Sequence, residues 1–123
     1  MSRAKKIGWL DRPEKHNYPA ALSYLSLIYS SAQAKKLVSR LHRAPISTFK
    51  AKDIFRASGL SLLGISNSRV QKDREKIGKG VALSPLLLVR DTPNGKLVIA
   101  DGYHRLCAVY ALDEDALIPC KIL

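Results

Sequence analysis

The sequence predicts a single α+β domain, and three stretches carry that reading. Leu97-Val98-Ile99-Ala100 is a short apolar run with strand preference, and beyond Asp101-Gly102 the residues Leu106, Val109 and Tyr110 recur at i, i+3 and i+4, so a strand passes directly into a helix. Pro85-Leu86-Leu87-Leu88-Val89 is a near-continuous apolar run of the kind expected in a strand covered on both faces. From Pro19 to about His42 the chain is rich in Ala, Leu and Ser and has an amphipathic helical pattern. With 123 residues, 46% of them apolar and 25% charged, the chain is one domain's worth and long enough to bury a core.

In chain order, residues 1–19 read as a basic N-terminal arm, because Pro13 and Pro19 interrupt it and no period is sustained. Ile7, Trp9 and Leu10 are available to pack on the domain or on a partner, and His16 is given no role. Residues 20–44 read as one amphipathic helix, with Leu22, Leu25, Tyr29 and Ala32 on one face and Lys35, Lys36, Arg40 and Arg43 toward its C-terminal end, where cations complement the dipole. Leu27, Ile28, Leu37, Val38 and Leu41 lie on further sides, so this helix is expected either to be buried against the domain or to form a homodimer.

Residues 45–123 form the main domain. Pro45 ends the helix, Ile46 to Phe49 suits a short strand, and Lys52-Asp53-Ile54-Phe55-Arg56 suits a turn or short helix. Gly59, Gly64 and the small residues from Ser58 to Ser66 mark an irregular segment, placed over a bound ligand. Ser66 or Asn67 is an N-cap for a helix to about Lys79, with Gly80 as its stop. Val70 and Ile77 face the core there, leaving Arg69, Lys72, Arg74, Lys76 and Lys79 mostly exposed; Lys72, Arg74, Lys76 and Lys79 suit a solvated face or the binding of a polyanion. Thr92-Pro93-Asn94-Gly95 is a turn, Asp113-Glu114-Asp115 an acidic loop, and Leu117 to Leu123 the closing strand.

A formal charge of +11 and a pI near 10 call for an anionic partner: a nucleotide, a nucleic acid or an acidic protein surface. Cys107 and Cys120 lie in apolar segments with no Cys-X-X-Cys and no clustered His, so they are expected as reduced core thiols, without a metal site. No apolar run approaches the length of a membrane span and no signal core follows Met1 to Lys6, so a cytoplasmic protein with no membrane partner is expected.

The segment from Asp101 to Arg105 carries the chemistry. A helix that opens directly off a buried strand presents unpaired backbone N–H groups and the positive end of its dipole, which suits an anion. Gly102 lets the backbone approach closely, and His104 and Arg105 add donors at the same spot, so the inferred ligand is a phosphate group. The same residues also suit purely structural work: Asp101 as an N-cap, Gly102 as a turn residue and Arg105 as a solvated charge.

From Ser84 onward, the order of the Pro85–Val89 run, the Thr-Pro-Asn-Gly turn, Leu97-Val98-Ile99, Asp101-Gly102-Tyr103-His104-Arg105 and Ile118-Pro119-Cys120-Lys121-Ile122 resembles the sulfiredoxin and ParB N-terminal superfamily. Sulfiredoxins carry Gly-Cys-His-Arg at this turn and ParB proteins a Gly-X-Arg-Arg type turn, and both cradle nucleotide phosphates there. Upstream, Asp53-Ile54-Phe55-Arg56 resembles the sulfiredoxin Leu-Ile-Arg-Pro segment, and Asn67-Ser68-Arg69-Val70 the start of the helix with a nucleotide-contacting Lys.

The resemblance implies a ParB/sulfiredoxin-like small mixed sheet with packed helices, to which the N-terminal helix is an addition. It also implies a nucleotide ligand (ATP, ADP or CTP) with Mg²⁺, held by Gly102, Tyr103, His104 and Arg105 with Arg56 and Arg69 neutralising charge. Tyr103 stands where sulfiredoxins have their attacking Cys; a phenol with an ordinary pKa of about 10 cannot replace a thiolate, so sulfinic acid reduction is not expected. The helix-turn-helix that follows this fold in ParB proteins has no counterpart here, so only non-specific nucleic-acid binding is expected. Free-serine kinases of the superfamily carry Asp-Gly-X-His-Arg, and by that likeness Asp101 would act as a base or contact Mg²⁺. Two expectations follow: a phosphotransferase or nucleotide hydrolase working at Asp101–Arg105, or a non-catalytic basic module docking on nucleic acid or an acidic protein.

Overall fold

The computed structural model describes residues 6–64 and 67–123, and Ser66, one of the two expected N-caps, lies outside them. The described residues form an α+β fold with a mixed four-stranded sheet. In chain order its strands are β1 (Ile46–Lys50), β2 (Leu86–Asp91), β3 (Lys96–Asp101) and β4 (Leu117–Ile122), and in space they run β1-β4-β2-β3. β2 pairs antiparallel with β3 and parallel with β4, while β4 pairs antiparallel with β1. Central position explains the apolar run of β2: Leu86 to Val89 are all buried because helices cover both sheet faces.

On one face lie α3 (Ala51–Ser58), α4 (Ser68–Gly78) and α5 (Tyr103–Leu112), packed on Leu86, Leu88, Leu97, Ile99, Ile118 and Cys120. α5 leaves the edge strand β3 and crosses β2 to reach β4. Leu106, Cys107, Ala108 and Val109 are consecutive and all buried, so this helix is apolar on most of its circumference. Asn67 caps α4, its side chain accepting from Arg69 N at 3.0 Å and Val70 N at 3.2 Å, and Gly80 follows in the left-handed region at φ +75°.

The opposite face is covered by the N-terminal helices, and here the expectation of one helix over 20–44 needs correction. There are two, α1 (Asn17–Ile28) and α2 (Ser31–Arg43), separated by the extended residues Tyr29 and Ser30. Ser30 ends the first by capping the second, accepting from Gln33 N at 3.2 Å; a serine hydroxyl competes well for backbone N–H groups at such a position. The reversal brings Ala21 and Leu25 together with Ala34, Leu37, Val38 and Leu41 over Leu87, Val89, Val98 and Ala100. Much of the apolar surface that suggested a homodimer is thus used within the chain, although Tyr24, Leu27 and Ile28 remain exposed on α1.

Lys121 ties this layer to the sheet. Its buried Nζ donates to His42 O at 2.7 Å at the C-terminal end of α2, and the His42 ring stacks on Tyr18 with centroids 3.6 Å apart. The arm also joins the fold: Leu10 N donates to Leu83 O and Leu83 N to Gly8 O, both at 2.9 Å, with Ile7 and Trp9 packed on the core. Glu14 then accepts a hydrogen bond from Ser84 Oγ, which fixes the chain just before His16. Cys107 and Cys120 are free and buried, and burial pushes the Cys120 thiol up to about 11. No helix among the described residues is long and apolar enough to cross a membrane.

Candidate phosphate-binding cleft

β3 delivers Asp101 to the end of the sheet, and the chain turns into α5 through Gly102 at φ +114° and ψ 14°. An L-residue rarely adopts that φ. Space excludes one as well, since a Cβ on Gly102 would lie 2.6 Å from Leu86 Cγ and 2.9 Å from Arg105 Nη2. No side chain caps the start of α5, which leaves its first N–H groups without a helical partner, and Gly102, His104 and Arg105 line a cleft of about 420 Å³.

Arg69, Lys72, Asp73 and Lys76 of α4 form one wall of this cleft, Asp101, Gly102, His104 and Arg105 the other, and His16 closes it from the arm. Positions 69, 72, 73 and 76 fall on one helical face, which α4 presents to the start of α5. Lys72 and Lys76 were expected first as a solvated face and only alternatively at an anion, and Asp73 and His16 were given no role. The spacing that gathers the first three is visible in the sequence, but without knowing that α4 packs beside α5 it reads as a solvated face.

Arg105 Nη2 donates to Asp101 Oδ2 at 3.0 Å and to Pro85 O at 3.4 Å, and both side chains of the ion pair are only 16% exposed. Arg105 Nε is buried and has no hydrogen-bond partner among the described residues. A buried donor without a partner is costly, so the guanidinium retains unmet donor capacity inside the cleft wall. Burial, and then the Arg69 guanidinium, hold the His104 imidazole below its ordinary pKa of 6.5, against an opposing pull from Asp73, so His104 is neutral at pH 7. Burial raises the Asp73 carboxyl, opposed by Arg105, Lys76 and His104. With His104 neutral, four cations face two carboxylates around the cleft.

Two of the expected site residues stand elsewhere. Arg56 is two positions from the buried Ile54, about 200° around α3. Its side chain is 80% exposed, lies 3.9 Å from Asp53, and does not line the cleft. Tyr103 opens α5, but its hydroxyl donates to Ser61 O, and burial followed by the neighbouring Cys107 raises its pKa. Its side chain therefore reaches toward Ser61 and does not line the cleft. The loop around Ser61 was expected to lie over a ligand; its described part contributes no residue to the cleft lining. Compared with family models, curated proteins and solved structures, the chain matches none.

Proposed function

We propose that this cleft binds the phosphate groups of a nucleotide, in the manner the sulfiredoxin and ParB likeness of the turn implies. The observation that carries the reading is the convergence of Arg69, Lys72, Lys76 and Arg105 on the uncapped N-terminus of α5, beside a glycine with no room for a Cβ. The glycine is required by internal packing against Leu86 and Arg105, which sets the direction in which α5 starts beside these cations. Arg105 and the α5 amides hold one phosphate, and the three α4 cations neutralise further phosphates along the chain. Arg56 has no part in this arrangement.

Asp101 is the carboxylate at the turn itself, and its pairing with Arg105 orients it. It takes the proton from an acceptor hydroxyl or from water, which makes the protein a phosphotransferase or nucleotide hydrolase. A divalent ion fits the cleft only as one shared between phosphates and a carboxylate, since no cluster of three or more metal-binding side chains exists among the described residues. When bound, such an ion would offset phosphate charge.

Calorimetric titration with ATP, ADP, CTP and GTP in Mg²⁺ tests the reading. Binding of at least one nucleotide is expected, weakened at least tenfold in Arg105→Ala, the scale of one or two charge-assisted hydrogen bonds. Asp101→Asn is expected to retain affinity and to lower phosphate release or transfer about a hundredfold or more. Unchanged affinity in Arg105→Ala removes the assignment. Salt-sensitive duplex binding with no nucleotide effect would favour the basic-module alternative, for which Lys35, Lys36, Arg40 and Arg43 stand exposed on α2.

A further inference from the structure

Charge is unevenly distributed along this chain. Between Glu14 and Asp53 there is no acidic residue, and within that stretch α2 carries Lys35, Lys36, Arg40 and Arg43. All four are exposed and none enters an ion pair among the described residues; Arg43 Nη1 donates to Ser39 Oγ at 3.1 Å. At about 100° per residue the four fall within about 140° of arc, opposite Ala34, Leu37, Val38 and Leu41, which are buried in the core of this layer. α4 differs, since Asp73 and Glu75 are interspersed among its cations.

The row on α2 is not explained by the helix itself. Lys36 and Arg40 stand at i and i+4, with Arg43 three residues further on, so like charges repel along it. The helix dipole favours cations in the last turn, which accounts for Arg40 and Arg43 but not for Lys35 and Lys36 in the middle. A polyanion laid along the row removes the repulsion. Between the cations stand only Ala32, Gln33 and Ser39, with no large apolar side chain to form the centre of a protein interface. The one ring on α2, that of His42, is stacked on Tyr18 and is not free to stack on an unpaired base. A polar, cationic face of this kind suits the phosphates of a duplex. From Lys35 to Arg43 the row runs about 12 Å, about the width of the major groove of B-DNA, so it can meet phosphates on both rims; the major groove of A-form RNA is narrower. We infer that the outer face of α2 docks on the backbone of double-stranded DNA, at a surface that shares no residue with the phosphate-binding cleft. This docking does not depend on the cleft binding a nucleotide.

The test is fluorescence anisotropy of a labelled short DNA duplex titrated with the full chain between about 50 and about 200 mM salt. Binding is expected to weaken steeply with salt. Lys36→Ala combined with Arg40→Ala, both at exposed positions, is expected to weaken it about tenfold or more at low salt and to lower the slope of log affinity against log salt by about two. The same double variant is expected to keep the unfolding midpoint and the calorimetric titration with ATP unchanged. A wild-type slope in the double variant would overturn the assignment, as would loss of the slope in Lys72→Ala with Lys76→Ala instead, which would put the duplex at the cleft. Equal or tighter binding of an RNA duplex, of a polyglutamate peptide or of phosphatidylserine vesicles, or no binding of the DNA duplex, would also overturn it.

Discussion

Replacing Gly102 by alanine would place a methyl carbon 2.6 Å from Leu86 Cγ on a backbone held at φ +114°, so both strain and overlap oppose it. A loss of about 2 kcal/mol or more is expected in urea unfolding, together with weaker nucleotide binding, because α5 must shift to relieve the contact. His104 gives a pH-dependent counterpart. Its folded pKa is depressed, so the unfolded chain takes up the proton first as pH falls; the stability it contributes is complete above about pH 6.5 and is lost as pH drops through the folded value. His104→Gln is expected to flatten that part of the stability profile, and an unchanged profile would contradict the depressed pKa. The turn was legible at this scale because the demands on Gly102, His104 and Arg105 are local. The position of Arg56 outside the cleft was not legible, because a four-residue likeness does not say which side of α3 an arginine faces. That is decided by Ile54, which takes the core side and turns Arg56 to solvent.

Among the elements, α2 and α4 bear the largest consequences. Leu41 is fully buried between α2 and the sheet, and Leu41→Ala is expected to cost about 2–5 kcal/mol by the cavity it leaves, read as a lower unfolding midpoint. Asn67→Ala removes the cap of α4 and is expected to cost about 1 kcal/mol. Because α4 carries Arg69, Lys72 and Lys76, that variant is also expected to weaken nucleotide binding more than a cap lost from α2, as in Ser30→Ala. Strand and helix identities could be read from the sequence where the pattern was strong, as in β2, β3 and α5. The split between α1 and α2 could not, because a Ser-Ser pair is compatible with a helix interior. Only the reward of folding Leu37, Val38 and Leu41 back onto β2 and β3 selects the capped break.

For the molecule as a whole, the helical pair is a structural layer. Residues 45–123, which the sequence marks off as the main domain, would expose Leu87, Val89, Val98 and Ala100 if produced alone. Such a fragment is expected to aggregate or to lose dispersed amide resonances; a well-folded fragment would show that α1 and α2 are dispensable. The +11 charge was legible from composition, but its division between the cleft wall and the free surface of α2 was not, since it depends on α4 packing beside α5. The central claim is that this division makes a nucleotide site at the start of α5. It is tested most directly by mapping amide shifts of the intact protein during titration with ATP and Mg²⁺. Saturable shifts centred on residues 102–105, accompanied by the α4 residues 69–76, are the expected result. Shifts centred on residues 35–43, or none that saturate, would contradict it.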